Sequence, residues 1–200
     1  MKEREVSDVA TLKALADPVR LAILNMMWKH EPEPMSVKEV AAAIEESPNK
    51  LYRHIRQLEQ VELIRVAETR LVSGIVESRY RVAQHSLRLS REAFAGDTSD
   101  HPEALAALLA TVDLIRSDFR GHYLANRLDL GPGDGSAPAP GMFSHFSMRI
   151  RPERLVRLRN QIRGLLDELA EEGDSADEDA IDVTLFTMLY ALKPNDPHGR

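Results

Sequence analysis

The sequence predicts a mainly helical α+β chain, and three patterns in it carry that prediction. Two capped amphipathic helices follow one another closely between residues 36 and 60, and two short β-prone runs come directly after them. Beyond residue 100, long helical stripes alternate with segments of period-two character. Two domains are expected, 1–90 and 91–200, because the charge changes sign near that point. Residues 47–91 hold nine Lys/Arg against four Asp/Glu, whereas 92–200 hold eleven against nineteen.

At the N-terminus, Ser7-Asp8 can cap a helix carrying Val9, Leu12, Leu15 and Ala16. Asp17-Pro18 opens another, with Leu21, Ile23, Leu24, Met27 and Trp28 as its apolar side, ending before Glu31-Pro32-Glu33-Pro34. Leu21, Leu24 and Trp28 are expected core. Next comes Ser36-Val37-Lys38-Glu39, the pattern of a capping box, in which the serine hydroxyl accepts from the glutamate amide and the glutamate carboxylate accepts from the serine amide. Val37, Val40, Ala41 and Ile44 give that helix its apolar side, and Ser47-Pro48 ends it while capping a new one.

In the new helix Leu51, Ile55 and Leu58 form one inward stripe. At 100° per residue, Asn49, Arg53, Arg56 and Gln60 then lie about 140° to 200° away, with Lys50, Tyr52 and Gln57 on the flanks. Arginine can take guanine O6 and N7 together, and Asn or Gln matches adenine, so Asn49, Arg53 and Arg56 are the expected base contacts. Ser47, Lys50, Tyr52, Gln57, Arg70, Arg79 and Arg81 are the expected DNA-backbone contacts. A merely solvated charged face is the alternative. His54 lies about 60° off the Leu51 stripe and suits packing or a phosphate contact.

The β-prone runs are Leu63-Ile64-Arg65-Val66-Ala67 and Glu77-Ser78-Arg79-Tyr80-Arg81-Val82, joined through Leu71-Val72-Ser73-Gly74. They read as a hairpin, with Arg65, Arg70, Arg79 and Arg81 in or beside it. Helix, turn, helix and ribbon together are the pattern of a winged helix-turn-helix. A local charge of +5 within a chain of net charge −6 points to a polyanion partner.

Residues 15–24, Leu15-Ala16-Asp17-Pro18-Val19-Arg20-Leu21-Ala22-Ile23-Leu24, followed by the capped pair and by Tyr52-Arg53-His54-Ile55-Arg56-Gln57-Leu58-Glu59, resemble the ArsR-type winged helix-turn-helix regulators of bacteria. The run Val72-Ser73-Gly74-Ile75-Val76-Glu77 leading to Tyr80-Arg81 is similar to the wing of the longer, two-domain members. The resemblance spans about residues 8 to 90 and implies a dimeric, double-stranded-DNA-binding transcriptional regulator. It also implies that the first helix, with Val6, Val9 and Leu12, helps form the dimer. Three departures stand out. Val40-Ala41-Ala42-Ala43 occupies the place of the founding metal sensors' Cys-x-Cys pair, and the chain has no cysteine, which excludes thiolate metal sensing. Glu62 stands where the family usually has a glycine, so a positive φ there would strain it. The C-terminal half is also longer than in the minimal sensors.

That half begins with Asp100-His101-Pro102-Glu103, opening a helix over 101–126 with Leu105, Leu108, Leu109, Val112, Ile115, Phe119 and Tyr123 along one side. The run 131–141 is a Gly/Pro/Ala loop without the Gly-Lys-Ser/Thr ending of a P-loop. Residues 142–150 alternate and are expected as a strand. A helix from Pro152 carries Leu155, Leu158, Ile162, Leu165, Leu166 and Leu169 and closes at Gly173, and Ile181–Leu192 is expected as a covered strand. Phe143, Phe146, Met148, Phe186, Met188 and Tyr190 could line a pocket for a small apolar effector, or be plain core. The 152–172 helix has Arg151, Arg154, Arg157 and Arg159 in its first half and Asp167, Glu168, Glu171 and Glu172 in its second, the reverse of what its dipole favours. Either an antiparallel neighbour compensates or the charges are simply solvated.

No nucleophile elbow, His-Glu-x-x-His or dinucleotide glycine pattern occurs, and the seven histidines are scattered singly, so neither an enzyme nor a metal site is expected and no cofactor is implied. No apolar run approaches the roughly 18 residues of a membrane span and no signal-peptide core is present, so a cytoplasmic protein without a membrane partner is expected. The expected function is a homodimeric, sequence-specific transcriptional regulator, a repressor. The alternative is a winged-helix protein–protein interaction module.

Overall fold

A computed structural model describes residues 3–84, 86–90, 92–94, 101–128, 142, 144–173, 175, 177, 180, 181 and 183–192. The chain forms two compact units, Met1–Asp129 and Leu130–Arg200. The first therefore reaches past the 90/91 boundary that charge suggests.

Its elements are β1 (Glu3–Val6), α1 (Val9–Leu15), α2 (Pro18–Lys29), β2 (Met35–Ser36), α3 (Val37–Ala43), α4 (Pro48–Gln60), β3 (Ile64–Val72), β4 (Ile75–Val82), β5 (Ser86–Leu89), a 3-10 turn (Glu92–Phe94) and α5 (Pro102–Leu124). This is the mainly helical α+β architecture read from the sequence. Caps set the helix starts. Asp8 accepts from the Thr11 amide at 2.8 Å and Asp17 from the Arg20 amide at 3.0 Å. The capping box of α3 is complete, with the Ser36 amide donating to Glu39 Oε2 at 2.7 Å and the Glu39 amide to Ser36 Oγ at 3.3 Å. Ser47 sits at the N-cap of α4 without a side-chain cap bond. Pro48 has no amide to offer, and the Lys50 amide is already bonded to the Ser47 carbonyl at 3.1 Å.

The turn between α3 and α4 and the exit from α4 use the same device. The amide of Leu63 bonds the Leu58 carbonyl and that of Glu62 the Glu59 carbonyl, both at 2.9 Å, which is a Schellman ending with Glu62 at φ +56°. Glu45 closes α3 in the same way at φ +57°. Glu62 thus occupies the left-handed conformation that suits glycine. Glu62→Gly is expected to raise stability by up to about 1 kcal/mol, the relief of that strain exceeding the backbone entropy a glycine adds; an unchanged or lowered urea midpoint would refute it.

β2, β4 and β3 form an antiparallel sheet in that order, with Ser36 opposite Arg79 and Val72 opposite Ile75. Ser73 (φ +51°) and Gly74 (φ +79°) make a two-residue turn with both centres left-handed, the twist-matching kind for a hairpin. This turn lets the ladder run to its end, so the ribbon is longer than the sequence pattern marks. Unanticipated is the parallel pair β1–β5, with Val6 opposite Leu89.

The core of this unit gathers Leu12, Leu15, Leu21, Ile23, Leu24, Met27, Val40, Leu51, Ile55, Leu58, Leu63, Ile64 and Val82. Trp28 packs beside it and donates from Nε1 to the Gln84 carbonyl at 2.9 Å. Val6 and Leu12 are core rather than free surface, while Val9 is exposed. On α5 the face seated on the core is distinct from the large-residue stripe, of which Leu108, Val112 and Ile115 are half-buried. Ala104 and Ala107, with Ala110 and Leu114 partly covered, pack on the core, because small side chains let α5 approach α1 and α2 closely. Lys29–Asp118 at 2.7 Å and Lys13–Glu103 at 3.5 Å fix the approach. The large residues Leu105, Leu109, Phe119 and Tyr123 lie about 180° round the helix and are exposed.

The second unit contains α6 (Pro152–Glu172), ended as expected by Gly173 at φ +69°. None of its residues is fully buried: Leu158, Leu165 and Leu169 are exposed, and Leu155, Ile162 and Leu166 are half-buried. The strands expected at 142–150 and 181–192 are not formed among the described residues. An alternating segment becomes a strand only with a hydrogen-bonding neighbour, and these segments have no ladder partner there.

Candidate nucleic-acid interface

α4 is seated by Leu51, His54, Ile55 and Leu58, all buried, so its opposite side is turned outward. Asn49, Lys50, Tyr52, Arg53, Arg56 and Gln57 are all exposed on that side. Arg53 and Arg56 form no hydrogen bond or ion pair among the described residues. Their guanidiniums are free to take an external acceptor. Lys50 is exposed and pairs only with Glu46 at 3.2 Å, one turn back. The Ser47 hydroxyl, unused as a cap, is exposed beside them.

The C-terminal half of α4 is held by two arginines that sequence reasoning did not single out. Arg4 donates from Nη1 to the Val61 carbonyl at 2.6 Å and the Glu62 carbonyl at 3.1 Å, a cation placed on the negative end of the helix dipole. Arg20 donates from Nε to the Ala14 carbonyl and from Nη2 to the Lys13 carbonyl, each at 2.7 Å, and from Nη1 to Gln57 Oε1 at 2.6 Å. The side-chain oxygen of Gln57 is therefore already engaged in positioning α4.

The ribbon departs furthest from expectation. Arg79, whose side chain is 14% exposed, donates from Nε and Nη2 to the Pro34 carbonyl at 3.1 and 2.6 Å and from Nη1 to Glu39 Oε1 at 3.0 Å. Its Nε also lies 3.2 Å from Glu68 Oε1, which Arg70 Nη2 approaches at 2.7 Å; these are ion-pair distances without hydrogen-bond alignment. Arg81 grips Glu31 through both nitrogens, Nε to Oε1 at 3.2 Å and Nη2 to Oε2. The hydrogen bonds it donates to Glu31 hold the Arg81 guanidinium above its usual pKa. Arg79 and Arg81 thus bind wing to body. Arg70 is more than half exposed and can turn outward, and Arg65, on the first wing strand, is exposed and free of any partner. The signal for Arg65 is its place opposite the buried Ile64 in the strand's two-residue alternation.

Electrostatics tighten the same frame. Burial works against ionisation of Glu39, but hydrogen bonds from the Ser36 amide and Arg79 prevail and hold its carboxyl below the usual range. His54 is 6% exposed and packs inside. Burial pushes its pKa down, helped by Arg53 and Arg20, against the pull of Asp17, whose Oδ1 lies 3.7 Å from Nδ1. The folded pKa lies below the unfolded 6.5. The stability His54 contributes is therefore complete above about pH 6.5 and is lost as pH falls through the folded pKa, where the unfolded chain binds the extra proton. Urea midpoints measured from pH 7.5 to 5 should decline, and the slope should flatten in His54→Leu; an unaltered slope would show that another group titrates.

The residues proposed for an effector pocket are not gathered into one. Phe146 and Tyr190 are each 75% exposed, and Met148, Phe186 and Met188 are exposed as well; Phe143 falls outside the described residues.

A family model described as a helix-turn-helix domain matches residues 15–67, which run from the end of α1 through α4 into β3. No curated protein matches the chain. The matched stretch is a DNA-binding domain of the regulatory kind, and its second helix is the one with the outward arginines.

Proposed function

We propose that the protein is a sequence-specific, double-stranded-DNA-binding transcriptional regulator, a repressor, acting as a homodimer in the cytoplasm. One observation carries it: within a helix-turn-helix domain, Arg53 and Arg56 project from the exposed side of α4 with no partner among the described residues, while Arg79 and Arg81 nearby are consumed internally. In this reading α4 enters the major groove, Arg53 and Arg56 take base edges, and Asn49 takes a base or adjacent phosphate. Ser47, Lys50, Tyr52, Arg65 and Arg70 hold the backbone. Arg65 takes the part that the sequence pattern suggested for Arg79 and Arg81.

The homodimer is supported by α5, whose Leu105, Leu109, Phe119 and Tyr123 form an exposed apolar stripe on a helix otherwise well seated. A second copy burying that stripe would supply the two-fold symmetry that binding two half-sites in successive major grooves requires. A regulatory ligand of apolar character is the part with least support, since the described residues of the second unit enclose no site for it.

Mobility-shift titrations against the DNA upstream of its own gene, and against random DNA, at two salt concentrations and with candidate ligands, test the proposal. Preference for the upstream DNA, with affinity falling steeply as salt rises, is the expected result. Equal, negligible binding to both DNAs would leave a protein–protein interaction module in its place.

A further inference from the structure

We infer that α6 is a self-association helix which pairs antiparallel with α6 of a second copy, a contact that deepens the homodimer reading and rests on it. Leu155, Leu158, Ile162, Leu165 and Leu169 recur at steps of three, four, three and four, the seam of a two-stranded coiled coil, with Leu166 widening it on one edge. The helix is continuous over Pro152–Glu172 and none of its residues is buried in the chain. The seam is formed, with Leu158, Leu165 and Leu169 exposed and Leu155 and Ile162 half-buried.

Charge identifies the occupant. Flanking the seam on one edge stand Arg154, Gln161 and Glu168, each one residue before a seam position and all exposed. Arg154 and Glu168 have no ion-pair partner among the described residues. In an antiparallel pair these edge positions face their own kind. When Leu155 packs on the mate's Leu165 and Leu158 on its Ile162, Arg154 meets the mate's Glu168, Gln161 meets the mate's Gln161 on the two-fold axis, and Glu168 meets the mate's Arg154. Two attractive pairs result. On the other edge Arg159 meets its own counterpart, a single repulsion that long guanidinium side chains relieve by spreading into water. A parallel pair would set Arg154 against Arg159 on both flanks and form neither attraction. The reversed charge order of α6, unfavourable for a lone helix dipole, is what lets the helix complement itself head to tail. Symmetric contacts of this kind close at two copies.

The chain has no cysteine, so Gln161→Cys in the full-length protein supplies a single thiol at the predicted two-fold. A short bismaleimide should join two copies of this variant efficiently. Adding Glu168→Arg should cut the cross-linked fraction about tenfold, and adding Arg154→Glu to that should restore it, with circular dichroism confirming that each variant is folded. Wild-type protein that sediments as a dimer while Gln161→Cys fails to cross-link, or cross-links regardless of the charge reversals, would overturn the α6 contact and leave the homodimer intact. Wild-type protein that sediments as a monomer throughout would overturn both.

Discussion

Arg81→Ala is expected to lower the stability of the first unit by about 3 kcal/mol. Arg81 holds Glu31, whose side chain is only 5% exposed, through a two-nitrogen grip. Removing the guanidinium leaves a carboxylate out of water with no counter-charge, and that stranded charge, more than the lost attraction, sets the cost. The urea midpoint should fall with little change in slope. Replacing both partners by apolar residues, Glu31→Leu with Arg81→Met, should recover most of the loss because no charge is then stranded. Arg65→Ala supplies the contrast: it should leave the midpoint where it is and reduce the salt dependence of DNA binding by about one phosphate contact. A loss below about 0.5 kcal/mol for Arg81→Ala would mean that the wing is anchored elsewhere.

Arg53→Ala should weaken binding to the preferred DNA by about 1–3 kcal/mol, roughly 5- to 150-fold, and relax the preference at one base pair. It should scarcely touch stability, since the side chain is exposed and makes no bond within the chain. Titrations on a panel of single-base variants read both effects. If Arg53→Ala loses the same factor on specific and random DNA, the side chain holds a phosphate and Arg56 becomes the leading base reader.

Local chemistry made the first unit legible. The capping box at Ser36 and Glu39, the Asp17-Pro18 start and the Leu51-Ile55-Leu58 stripe each specify a helix within a few residues, and the inward and outward faces of α4 follow from angle alone. What escaped depended on distant partners. Glu3-Arg4-Glu5-Val6 has no strand signal of its own; it becomes β1 because Ser86–Leu89 lies beside it, some eighty residues on. The destinations of Arg79 and Arg81 were hidden for the same reason, since the Pro34 carbonyl and Glu31 are brought to them by the sheet and not by the sequence. On α5 the large residues mark the outward stripe, while the seat on α1 and α2 is made by alanines, which a search for large apolar residues passes over. The two C-terminal segments, 142–150 with its alternation and 181–192 with its β-prone apolar run, carry strand character but have no ladder neighbour among the described residues.

The division of the arginines has a kinetic consequence for the proposed regulator. With Arg4, Arg20, Arg79 and Arg81 all turned to internal acceptors, few cations remain to hold a featureless stretch of duplex. Residence on random DNA should be short, with search proceeding by dissociation and return more than by one-dimensional travel. Most of its dwell time would then accumulate only where Arg53 and Arg56 find matching bases. Such a protein would clear the wrong places quickly and could be present at low copy number without coating the chromosome.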